Sequence, residues 1–98
     1  MTLLWTKQSR ADLAAIHRHI AEDSPMNAAR LIDRLTRRAE RIAMLPRSGR
    51  QVPEYGSEDV REILERPYRI IYRILSDHID VLSVMHYRRL LPEDMDKL

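Results

Sequence analysis

The chain has 98 residues, 44% of them hydrophobic, and a formal net charge of +2; it reads as one domain over residues 1–98, because two halves would each be too small to bury a stable core. It contains no Cys, which excludes disulfides, Cys-ligated zinc and thiol nucleophiles and fits a reducing compartment. No apolar run approaches the roughly 20 residues that span a bilayer, and Met1-Thr2-Leu3-Leu4-Trp5-Thr6 lacks the basic region of a signal peptide, so the expected setting is the cytoplasm with no membrane partner.

Leu3 to Thr6 reads as a short first strand. Ala11, Leu13, Ala14, Ile16, Ile20 and Ala21 then recur at helical spacing and predict a helix from about Lys7 to Glu22. Ser24 suits an N-cap, with Pro25 at the first helical position, where a missing N–H costs nothing. The second helix starts there, with Ala28, Ile32, Leu35, Ala39 and Ile42 forming one apolar seam and Arg30, Arg34, Arg37, Arg38 and Arg41 on the other faces. The link at Asp23-Ser24 is short enough to force an antiparallel hairpin.

Leu45-Pro46-Arg47-Ser48-Gly49 ends the second helix, and a loop runs to about Ser57. From Val60 the period becomes two. Val60 to Glu65 predicts a strand; Tyr68, Ile70, Tyr72 and Ile74 share one face of the next, with Arg69, Ile71, Arg73 and Leu75 on the other. A tight turn at Ser76-Asp77-His78 leads into a strand from Ile79 to His86. The segment Leu90 to Leu98 reads as a short helix able to dock Leu91, Met95 and Leu98. The expected fold is α+β: an N-terminal strand, an antiparallel helical hairpin, a three-stranded antiparallel sheet and a short C-terminal helix.

Arginine carries nearly all the positive charge, Lys7 and Lys97 being the only lysines. Its planar fork suits phosphate or carboxylate, so an acidic partner fits this composition. Arg69 and Arg73 share a strand face that ought to be apolar. They need an anionic ligand, water, or a cross-strand carboxylate such as Glu62 or Glu65 near Arg61. A solvated face is the favoured reading of Arg73, while for Arg69 a structural and a functional role are both open. His17 and His19, two apart on a helix, do not share a face, so no metal pair is expected. Trp5 and the tyrosines are too scattered for a base-stacking platform, and Glu22, Asp33 and Glu40 interrupt the helix arginines, which disfavours a module that reads DNA directly.

Four ordered segments carry a family resemblance. They are Leu45-Pro46 with Gly49-Arg50-Gln51-Val52-Pro53-Glu54; Val60-Arg61-Glu62; Pro67-Tyr68-Arg69-Ile70-Ile71-Tyr72-Arg73-Ile74; and Val84-Met85-His86-Tyr87-Arg88-Arg89. Together, over Leu4 to about Arg89, they resemble the ParE branch of the ParE/RelE superfamily of type II toxin-antitoxin systems. The resemblance implies a toxin that forms a hetero-oligomer with a neutralising ParD-like antitoxin and uses no cofactor or metal. It implies one of two targets: DNA gyrase, bound directly, or ribosome-associated mRNA, which is cleaved.

The residues favour the first. Cleavage by 2′-hydroxyl attack needs a general base, a cation on the scissile phosphate and an acid for the leaving oxygen. Arg69 matches the family's phosphate-binding arginine and Arg88 lies near a second one, but Val60, Glu62 and Leu64 stand where lysine-using nucleases carry basic residues, and no Tyr follows Tyr87. A second nuclease pattern, built on Glu, His and Tyr, can be imitated by Glu54 or Glu62 with Arg69, His86, Tyr87 and Arg88. The gyrase reading instead makes Arg61, Arg69, Arg73, Arg88 and Arg89 target contacts and assigns no catalytic residue. Under either reading His86, without an orienting partner in view, is more simply a packed or capping histidine than an acid.

Overall fold

The computed structural model describes residues 1–98. Strand β1 (Thr2–Trp5) leads into helix α1 (Lys7–Ala21) and helix α2 (Pro25–Met44); strands β2 (Arg50–Gln51), β3 (Val60–Glu65), β4 (Tyr68–Ile74) and β5 (His78–His86) follow, and the chain closes on a single 3₁₀ turn at Met95–Lys97. Thr6 caps α1 by accepting the Ser9 N–H at 3.1 Å, and Ser24 caps α2 through the Asn27 N–H at 3.2 Å, with Pro25 opening the helix. The expected helical hairpin is present.

The α+β class is as expected, but the sheet is larger than the three antiparallel strands read from periodicity. It has five strands in the order β1-β5-β4-β3-β2. β1 runs parallel to β5 with Thr2 opposite His78 and Trp5 opposite Val81, which the helical hairpin makes possible by carrying the chain back across the sheet. At the other edge Arg50 and Gln51 pair with Glu62 and Arg61. Gly49 allows that approach: a Cβ there would lie 2.6 Å from the Tyr72 hydroxyl and 2.7 Å from the Glu62 carbonyl oxygen. The C-terminal helix contracts to one 3₁₀ turn capped by Asp94, whose carboxylate accepts the Asp96 N–H at 2.9 Å.

Both faces of the sheet are covered, unequally. The helices cover one, where Leu35, Ala39, Ile42, Ile63, Ile70, Tyr72, Ile79, Val81 and Val84 form the main core. Tyr72 is fully buried there; its hydroxyl donates to the Pro46 carbonyl at 2.5 Å and accepts the Gly49 N–H at 3.1 Å, which ties the turn after α2 to the sheet. Burial raises its pKa above the ordinary 10.0. The second face carries a smaller cluster, Val52, Val60, Ile71 and Met85, and the tail residues Leu91, Met95 and Leu98 pack on it, as their spacing suggested.

β5 holds one residue more than its partner. Ile71 pairs with Ser83 and Tyr72 with Val81, leaving Leu82 as a bulge. The extra residue is why both Val81 and Val84 reach the helix-side core. Asp12 of α1 secures the bulge, its carboxylate accepting the Ser83 hydroxyl at 2.8 Å and the Val84 N–H at 3.0 Å.

Candidate functional site

The second face places two charged side chains in its interior. Register sets Glu62 opposite Ile71 and Arg69 opposite Leu64, so Glu62 and Arg69 are diagonal neighbours on one face of the β3–β4 pair. Their side chains are 1% and 8% exposed, and Arg69 Nη1 lies 3.5 Å from Glu62 Oε2. Glu62 also takes Arg50, whose Nε and Nη2 donate to Oε1 at 3.1 and 2.8 Å. Glu54 approaches Arg69 Nη1 at 4.0 Å from the exposed side. The other Arg69 nitrogen donates to the Arg89 carbonyl at 2.7 Å and contacts Met85 Sδ at 3.7 Å, while Nε is buried without a partner. The guanidinium thus sits between carboxylates and a backbone carbonyl. Tyr55 closes one side of this face, donating to the Pro92 carbonyl at 2.8 Å; burial, and then the Glu54 charge, raise its pKa.

The remaining arginines that sequence singles out disperse. Arg73 stays on the Arg69 face and is exposed. Arg61 turns to the opposite face, where Nε donates to the Glu58 carbonyl and Nη1 to the Gly49 carbonyl, each at 2.9 Å, and so wraps the turn after α2. Arg88 and Arg89 are exposed beyond the end of β5. Arg88 Nε donates to the Tyr87 hydroxyl at 2.9 Å and its guanidinium lies 5.4 Å from the ring centroid.

The nuclease pattern is not brought together: Glu62 and Arg69 share one face of the sheet, His86 lies on the other, and Tyr87 and Arg88 follow the end of β5. His86 pairs with Tyr68 and Arg69 with Met85; successive strand residues point to opposite sides, so His86 follows Tyr68, which packs on the helix-side core, while Arg69 follows Met85 to the tail side. The His86 ring meets Tyr68 edge-on at 6.0 Å and stacks on Tyr87 at 5.0 Å. A shallow cleft of about 260 Å³ beside it is lined by α1 and β5 residues that include His19 and Asp12. No three His, Asp or Glu side chains converge to hold a metal ion, and no helix is long and apolar enough to cross a membrane.

Three participants escape a sequence reading. Asp12 leaves a trace, an acid in line with Ser9 and Ile16 on the inward side of α1. Arg50 and Tyr55 leave none, since a two-residue strand and a loop lack periodicity.

Comparison with known proteins gives the geometry a family. Over 89 residues the chain is 32% identical to the protein named toxin RelE2 of Caulobacter vibrioides, covering 90% of this chain and 97% of that one. Its fold superposes on a solved structure described as "Chromosomal ParDE TA system from P. aeruginosa" with a TM-score of 0.74 and 26% identity, covering 88% of this chain and 95% of that one. Residues 3–91 match the family described as ParE toxin of type II toxin-antitoxin system, parDE. The chain therefore belongs to the ParE toxin family of type II toxin-antitoxin systems.

Proposed function

We propose that this toxin acts in the cytoplasm by gripping DNA gyrase rather than by cutting RNA, and that a ParD-like antitoxin neutralises it within a hetero-oligomer. The observation that carries this reading is the state of Arg69. A cation that stabilises a scissile phosphate must face the position where charge develops, free of a competing anion. Here the guanidinium is 8% exposed and lies against Glu62, itself neutralised further by Arg50. A phosphate approaching Arg69 would meet the exposed carboxylate of Glu54 beside it, whose like charge opposes it. His86, the one side chain able to move a proton near neutral pH in that pattern, lies on the other side of the sheet. The similar P. aeruginosa structure is that of a ParDE system, which supports an antitoxin of the ParD kind here. Arg73, Arg88 and Arg89, exposed and without carboxylate partners, remain as contacts for an acidic protein surface.

The test adds purified toxin to gyrase supercoiling and cleavage reactions and, separately, to ribosomes translating an mRNA. Supercoiling is expected to fall and cleaved DNA to accumulate, with the mRNA intact. Untouched gyrase at high toxin excess, together with cuts in the mRNA, establishes the alternative, a ribosome-dependent mRNA endoribonuclease.

A further inference from the structure

The buried arginine leaves open what the toxin presents to its target, and the corner after β5 supplies an answer. Leu90 is the most exposed large apolar side chain of the molecule, at 90%, and Tyr87 is 43% exposed. Isolated exposed leucines are ordinary, but this one stands on a corner held by several hydrogen bonds. The Tyr87 N–H donates to the Pro67 carbonyl at 2.9 Å, the Arg89 N–H to the His86 carbonyl at 3.0 Å, and the Arg88 N–H to His86 Nδ1 at 3.2 Å. Arg69 completes the set through the Arg89 carbonyl at 2.7 Å. The backbone that carries Tyr87, Arg88, Arg89 and Leu90 is thereby fixed before any partner arrives, which lowers the ordering cost of binding.

We propose that the Tyr87–Leu90 corner enters an apolar recess rimmed by carboxylates on the target protein, and that Arg69 is a positioning residue that holds the corner by the Arg89 carbonyl. Tyrosine and arginine around one apolar anchor have the composition of an interface hot spot, and Arg88 and Arg89, both exposed, match an acidic rim. A nucleic acid fits less well. Leu90 offers it neither charge nor hydrogen bond, the Tyr87 ring is already engaged by His86 and Arg88, and Glu93 and Asp94 follow closely in the chain. The inference rests on the reading of the toxin as a binder of a protein target, but not on that target being gyrase.

Growth arrest on induction without antitoxin, thermal unfolding and antitoxin binding are measured for Leu90→Ser, Arg88→Ala, Arg69→Lys and a surface control, Met26→Ser. Leu90→Ser is expected to unfold and bind antitoxin as the wild type does, yet to need at least tenfold more protein for arrest. Arg69→Lys keeps the charge but loses the fork, so it should lose arrest likewise and shift the backbone amide resonances of Tyr87 to Leu90; the Met26 variant should arrest normally. Should Arg69→Lys fail to fold, Leu90→Ser decides alone, since Leu90 is 90% exposed and its loss leaves no buried gap. Wild-type arrest by Leu90→Ser and Arg88→Ala overturns the proposal, as does a wild type that arrests nothing. So does loss of antitoxin binding in place of arrest, or weakened RNA binding by Arg88→Ala with Leu90→Ser silent. Supercoiling left untouched by the wild type, with arrest still lost in Leu90→Ser, refutes gyrase as the target and keeps the corner.

Discussion

The two faces of the sheet are built from the same strands and solve burial differently. Against the helices, nine side chains close an apolar core in which Tyr72 is the one polar group, and both partners of its hydroxyl are backbone atoms. On the other face, four apolar residues share the interior with Glu62 and Arg69, and the cover is a tail of half-buried residues. Burying a charge pair gains little net stability, because desolvation offsets the attraction. The helix side therefore holds the fold, while the tail side spends stability on fixing an arginine. The contrast separates what makes this chain fold from what fixes the corner after β5.

Cutting the core on each side is the direct way to break that contrast. Ile70→Ala, on the helix side, is expected to lower unfolding stability by about 4 kcal/mol, the cost of a large cavity in a closed core. Val52→Ala under the tail should cost about 1 kcal/mol, because a loose cover collapses onto the gap. Equal losses in urea unfolding would mean that the tail is as much a part of the core as the helices. Next in size, Glu62→Ala strands Arg69 without its buried partner and should cost about 3 kcal/mol; a loss below about 1 kcal/mol would mean that Glu54 and solvent replace Glu62. Gly49→Ala asks whether the faces communicate, since its new methyl presses on Tyr72 on one side and on the β3 backbone on the other. Overpacking of this kind costs about 2 kcal/mol, and should be accompanied by a shift of the Tyr72 ring resonances.

The smallest effect lies at the turn between β4 and β5. His78 Nδ1 is 2.6 Å from Asp77 Oδ1 and Nε2 is 3.2 Å from Asp80 Oδ1. The hydrogen bond to Asp77, and then the charges of Asp77 and Asp80, raise the His78 pKa above its ordinary 6.5, and the same bond lowers that of Asp77. A raised histidine contributes stability that is complete below pH 6.5 and disappears as the pH rises through the folded pKa; a lowered aspartate contributes above 3.8 and loses its share as the pH falls through its own. The expected signature is a small stability gain between those values, absent in His78→Gln and reduced by salt. An NMR titration placing the His78 pKa at or below 6.5 would remove it.

What the residues disclosed in advance follows how local each signal is. The α2 seam is legible because its period belongs to one helix: Ala28, Leu35, Ala39 and Ile42 are all fully buried. The alternation of β4 is equally plain, with Ile70 and Tyr72 toward the helices and Arg69 and Ile71 away. β5 is less so, because the bulge at Leu82 changes the phase midway and is secured by Asp12, far away in the chain. The five-strand order lies beyond periodicity altogether, since β1 pairs only with β5 and β2 contributes two residues. At the site, Glu62 and Arg69 both stand out as residue types, but their union depends on register, and register also sends His86 to the other face.

The parallel pairing of β1 with β5 has a consequence for biosynthesis. A chain leaves the ribosome N-terminus first, and Thr2 finds its partner only once His78 has been made. The helical hairpin can form early from its own local contacts, but its floor is assembled late, because β5 lies between β1 and β4 in the sheet order. Long-range pairing of this kind slows folding. A nascent copy interrupted anywhere before β5 therefore lacks the completed sheet, the carbonyl that Arg69 grips and the exposed corner after β5.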